Sequence, residues 1–126
     1  MPATEHAVEL AAVAARAAAE KKADSAVAID VSERLPFADI FLIVSAANER
    51  QARTIVDAVE EAMFKAGAKA RSREGLEEAR WVLLDYADVV VHVLQAEDRE
   101  YYGLERLWKD CPLVPLPEFA SEPAQA

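Results

Sequence analysis

Asp85, Asp88 and His92 are the residues of this chain whose types and proximity bring acid-base or metal chemistry to mind. Two carboxylates and an imidazole can ligate a divalent cation or share a proton, provided the fold makes them converge. The local pattern favours a simpler role. Aspartates on either side of Tyr86-Ala87 stand where a tight turn bonds its own backbone, and a histidine inside a valine run is the pattern of a packed strand residue. Ser45 precedes a helix, but no G-x-S-x-G elbow surrounds it, so it reads as a helix-entry cap before a nucleophile. The glycines, Gly67, Gly75 and Gly103, are too scattered to build a phosphate-cradling loop or a dinucleotide fingerprint. Cys111 has no second thiol to join, and His6 lies far from His92. Neither a metal nor a cofactor is expected.

A second group suits recognition better than catalysis. Trp81, Tyr101, Tyr102 and Trp108 combine apolar area with a polar handle, which is what anchors protein interfaces. Trp108 is expected in the core, and Trp81 or Tyr102 towards a partner. Lys65, Lys69, Arg71, Arg73 and Arg80 form a basic run, yet the net charge of the 126-residue chain is -9. That balance argues against a phosphate-driven grip on nucleic acid and favours protein partners, especially basic ones. The basic run itself reads as a solvated strand edge whose charges discourage strand pairing.

These residues hang on elements that the patterning locates. Arg80–Asp85 and Asp88–Val93 read as adjacent antiparallel strands joined at Tyr86-Ala87. Trp81, Leu83 and Asp85 then share one face, Val82, Leu84 and Tyr86 the other. Along the second strand, Val89, Val91 and Val93 oppose Val90, His92 and Leu94. Both faces are apolar, so both need covering. Upstream, the continuous run Asp39–Ser45 fits a central strand, and Ala26–Val31 a first one. Glu49–Ala66 is the clearest helix: Asn48 and Gln51 form a capping-box pattern, apolar residues recur at three and four, and Gly67 stands at the C-terminal cap. Glu5–Lys22 is an alanine-rich helix capped by Thr4, with a shallow stripe of Val8, Ala11, Ala12, Ala15, Ala18 and Ala19 that predicts weak packing. Ala68–Arg73 reads as a polar strand, and Glu97 to Cys111 as a third helix on which Tyr101, Leu104 and Trp108 align.

The architecture predicted is α/β, a mixed, roughly five-stranded sheet with about three helices, and a length suited to one domain. Residues 1–111 are expected to form that domain and 112–126 a flexible tail, since Pro112, Pro115, Pro117 and Pro123 forbid regular helix. Glu5, Glu9, Arg16 and Glu20 interrupt the N-terminal apolar segment, so neither a signal peptide nor a membrane span is expected. With a single cysteine, the reading is of a cytoplasmic protein.

Several blocks together resemble the ribosomal silencing factor family, also called the Iojap family. They are Glu74-Gly75, the run Trp81-x-Leu83-Leu84-Asp85-Tyr86-x-Asp88-Val89-Val90-Val91-His92-Val93, and Arg99-x-Tyr101-Tyr102-x-Leu104-Glu105-x-Leu107-Trp108. Asp30-Val31-Ser32, Ala38-Asp39, and Ser45 with Glu49-Arg50-Gln51 are similar to its other blocks. Coverage runs from about Leu10 to Trp108. The resemblance implies a topology similar to nucleotidyltransferases without their catalytic apparatus, and a homodimer when free. It further implies binding to the large ribosomal subunit through that subunit's protein number fourteen, which would block joining of the small subunit and damp translation when nutrients are scarce. One departure is Ala46, where many members place glycine, which puts the turn before the second helix in question.

The leading expectation is therefore a non-enzymatic translation repressor. Its partner-binding residues are expected to be Trp81, Leu83, Asp85, Asp88, His92, Arg99 and Tyr102, with Arg71 and Arg73 on the rim and the two aspartates alternatively serving the corner. The alternative from another class is a metal-dependent, nucleotide-handling enzyme of nucleotidyltransferase-like fold. A third is a homodimeric scaffold for which the ribosome is a secondary contact.

Overall fold

A computed structural model of the chain describes residues 2–119, apart from the side chains of Tyr101, Tyr102, Leu104 and Glu105. In chain order the elements are α1 (Glu5–Glu20), β1 (Ser25–Asp30), β2 (Ile40–Ala46), α2 (Glu49–Lys65), β3 (Ser72–Glu74), β4 (Trp81–Asp85), β5 (Val89–Gln95), α3 (Ala96–Tyr102), α4 (Leu104–Leu107) and β6 (Leu113–Val114), followed by a 3-10 turn at Pro117–Phe119. The strands form one mixed sheet in the order β3-β4-β5-β2-β1-β6. Only β2 and β5 run parallel, with Ile43 beside His92; the other neighbours are antiparallel.

The α/β class is as the sequence predicts, with six strands where roughly five were expected. The sixth comes from the segment expected to be tail. Leu113 and Val114 pair with Ile29 and Ala28, the Pro112 carbonyl accepts from the Asp30 amide at 2.8 Å, and Leu116 is buried. The third helix is two short ones, because Gly103 turns left-handed at φ +58° between α3 and α4. The strand that follows α2 lies at the sheet edge, and the parallel partner of β2 is β5.

Alternation along the central strands divides the interior in two. Leu42, Val44, Val82, Leu84, Val89, Val91 and Val93 point to the face covered by α1 and α2, where Ala52, Ile55, Val56, Val59 and Met63 meet them. Each fully buried aliphatic side chain there contributes about 1.5–3 kcal/mol. The weak packing expected of α1 is overturned. Ala7, Leu10, Ala11, Ala14, Ala15, Ala17 and Ala18 are all buried, while Val8 of the expected stripe is exposed. Alanines on every side give no hydrophobic contrast to read, but their small size lets α1 lie close against both α2 and the sheet.

Both predicted N-caps form. The Thr4 hydroxyl accepts from the Ala7 amide at 3.0 Å, and the Asn48 carboxamide from the Gln51 amide at 2.9 Å. Gln51 reaches one residue further back than a capping box requires, accepting from the Ala47 amide, and donates to the Lys22 carbonyl, which ties the end of α1 to the start of α2. Asn48→Ala is expected to cost about 1 kcal/mol, a fall in Tm of about 4 °C in thermal unfolding. At the other end the Ala68 amide donates to the Met63 carbonyl and Gly67 to Phe64, a Schellman closure that uses glycine's φ of +89°. Ala46, the departure noted above, ends β2 without a positive φ, so the turn before α2 does not depend on glycine there.

A candidate partner-binding face

The opposite face of the sheet is sealed less completely. Ile29, Val31, Ile43, Val90 and Leu94 are buried on it, with Val27, Leu35, Phe41, Trp81, Leu83 and Trp108 only partly covered around them. An aromatic row crosses it from one strand to the next. The Trp81 and His92 rings lie 6.1 Å apart, His92 and Phe41 4.8 Å, and Phe41 meets Trp108 edge-on at 5.4 Å. Strand register explains the row: Leu83 sits opposite His92 on one side and Ile43 beside it on the other, so alternate residues of β4, β5 and β2 share the face.

His92 lies at the centre of this face and is 4% exposed. Its Nδ1 accepts from the Trp81 indole Nε1 at 3.1 Å, which fixes the indole above it and leaves the ring proton on Nε2. Burial disfavours the charged imidazolium and pushes its pKa from 6.5 down to about 4, so the ring is neutral at physiological pH. A neutral ring beneath a tryptophan holds an apolar platform in place.

The other expected residues divide. Trp81, Leu83 and His92 come together on the face. Asp85 serves the corner: its Oδ1 accepts from the Ala87 amide at 2.8 Å, and its carboxylate pairs with Arg71 at 3.2 Å. Asp88 is exposed, and its carbonyl accepts from the Asp39 and Ile40 amides at the start of β2. Arg73 pairs with Glu60 of α2 at 2.6 Å, because it lies opposite Leu84 and so faces the helical side. Tyr102 is in α3, and its side chain lies outside the described residues. Among the described residues, no group of three or more histidine, cysteine or acidic side chains has the arrangement to hold a metal. The basic run is largely neutralised locally, since Lys65 pairs with Glu61 and Arg80 with Asp98, in addition to the two pairs above.

Ser45 does not cap α2. It is buried, and its hydroxyl accepts from Arg99 Nη1 at 2.6 Å; the same nitrogen donates to Ser25. Sequence reasoning singled out Arg99 without its partners, which are 74 and 54 residues away and meet it only through the register that sets Ser25 opposite Ser45. Beside Trp81, a further cleft is lined by Gly75, Glu77, Glu78, Arg80 and Asp98.

The family model for "Ribosomal silencing factor during starvation" matches residues 4–126. The chain belongs to the ribosomal silencing factor family. The match extends past the limits of the resemblance, Leu10 and Trp108, and takes in the segment that supplies β6. Among its relatives, a ribosomal silencing factor from Halalkalibacterium halodurans is 41% identical over 108 residues, spanning 86% of this chain and 92% of the relative. One from Bacillus subtilis is 39% identical, spanning 82% and 88%. The chloroplastic Iojap protein of Zea mays is 30% identical over 82% of this chain and 45% of its own. A crystal structure of a Bacillus halodurans protein superposes with a TM-score of 0.75 at 39% identity, covering 86% of this chain and 98% of that one. The names of these relatives describe a regulatory factor.

Proposed function

We propose that the protein is a non-enzymatic translation repressor that docks on the large ribosomal subunit through that subunit's protein number fourteen and sterically blocks association with the small subunit. The observation that carries this reading is the partly covered row of Trp81, Leu83, Phe41 and Trp108 over a rigid, neutral His92. Apolar area concentrated in one place on a charged chain marks an interface, and aromatic anchors are its usual energetic centre. Beside Trp81, Glu77 and Glu78 stand with the Arg80–Asp98 pair, an excess of negative charge that complements a basic ribosomal protein and speeds encounter with it. Family membership supports the same reading. The protein acts in the cytoplasm, and when free it forms a homodimer through the same face, so that dimerisation and docking compete.

Co-sedimentation tests it. The full chain is expected to pellet with isolated large subunits and not with small ones, and pre-binding is expected to reduce formation of joined ribosomes when small subunits are added. Equal recovery with both subunits, or joining unaffected by saturating protein, would overturn the proposal. Mass measurement of the chain alone and on large subunits is expected to show two copies becoming one.

A further inference from the structure

The sheet contains a second place where chemistry converges, and the docking proposal does not use it. β2 and β5 are parallel neighbours, yet the chain leaves β2 for α2 on one face and β5 for α3 on the other. Connections that part in this way open a crevice at the carboxyl ends of the two strands, and such crevices are where open α/β sheets take up ligands. Here the crevice is a cleft of about 370 Å³ lined by Ser25, Ser45, Ala96, Arg99, Glu100, Gly103 and Arg106.

Its donors are arranged for an anion. Arg99 Nη1 donates to both serine hydroxyls, which fixes the guanidinium across the end of the sheet. A hydroxyl that accepts from arginine still has its own proton to give, and among the described residues no acceptor takes it from Ser25 or from the buried Ser45. Arg106 closes the other side. Its guanidinium crosses the α3–α4 break in the space that a side chain at position 103 would fill, so the glycine there is what lets the arginine fold over the cleft. Among the described residues no carboxylate pairs with Arg106. Among the described residues, two guanidiniums and one carboxylate, that of Glu100, line the cleft, on a chain whose net charge is -9.

We propose that this cleft binds the phosphoryl group of a small molecule, with Arg106 and the two serine hydroxyls directed at its oxygens and Arg99 holding the serines in place. Guanidinium forks match phosphate geometry, and hydroxyl donors complete the set. The volume exceeds that of a phosphate ion and leaves room for an attached group beside Glu100. Phosphate itself and a phosphomonoester share the chemistry, and titration separates them.

The test is calorimetric titration of the full chain at neutral pH and constant ionic strength with inorganic phosphate, adenosine monophosphate and adenosine. Saturable binding of both phosphates and none of adenosine is expected. Arg106→Gln, at an exposed position, is expected to weaken it about tenfold with Tm unchanged, Arg106→Lys by less, as the loss of charge-assisted hydrogen bonds dictates. Binding of the monophosphate clearly tighter than phosphate identifies an ester site; equal binding identifies a free-phosphate site. Absence of saturable binding of either phosphate at high millimolar concentration, adenosine binding as well as its monophosphate, or Arg106→Gln binding like the parent chain would overturn the proposal.

Discussion

Trp81→Ala is expected to weaken binding to large ribosomal subunits by about thirtyfold or more, corresponding to about 2 kcal/mol, while the sheet stays folded. The size of the effect follows from position. Trp81 stands at the end of the aromatic row, partly covered, with its indole held by His92 at 3.1 Å, so it presents a rigid surface whose ordering cost is already met within the monomer. Trp81→Phe keeps a ring and loses the indole donor, and is expected to fall between the two. Pelleting at several protein concentrations, with circular dichroism to check folding, gives the comparison. An affinity unchanged by Trp81→Ala would remove this face from the interface. Arg71→Ala offers a contrast, since an exposed charge paired with Asp85 is expected to alter mainly the salt dependence.

The second large effect concerns acid. In the folded chain His92 takes up a proton near pH 4, whereas in the unfolded chain it does so near 6.5. Between those values the unfolded chain binds more protons, so stability rises with pH across the window and is lost as pH falls through it. The contribution is fully present above pH 6.5, is progressively removed down to pH 4, and amounts to about 3 kcal/mol. Denaturant unfolding of the parent chain and of His92→Leu at steps from pH 7 to pH 4.5 isolates it, because carboxylate titration is common to both. The parent is expected to show the steeper loss. Parallel curves would mean that His92 does not sit neutral and buried.

How far the sequence disclosed this molecule depended on whether neighbouring residues carried the information. The β4–β5 hairpin, β2 and α2 were legible because β-branched alternation, a continuous apolar run and a capped three-four periodicity are all local patterns. The depth of α1 was not, since a helix apolar on nearly every side shows no preferred face. β6 escaped because two residues between prolines have no pattern to read, and their strand character comes entirely from β1. The same limit applied to function. Trp81, Leu83 and His92 alternate along one hairpin and could be grouped by counting, whereas Arg99 acquires Ser25 and Ser45 only when strands distant in the chain fall into register. Arg73 could be named as a rim candidate but not placed on a face, because the register of β3 against β4, which turns it towards Glu60, is not written in β3.

Leu113–Val114 lies along the outer flank of β1 with Pro112 and Pro115 directly on either side. A proline nitrogen carries no hydrogen, so a strand arriving from another molecule finds no ladder to continue there. At the far flank, Ser72–Glu74 offers three exposed residues, two of them charged and with Arg73 already drawn to Glu60. Lateral extension of the sheet into a fibre is thus obstructed at both margins. On the docking reading proposed above, two copies would meet broadside through the aromatic face, since edge-to-edge pairing is closed to them.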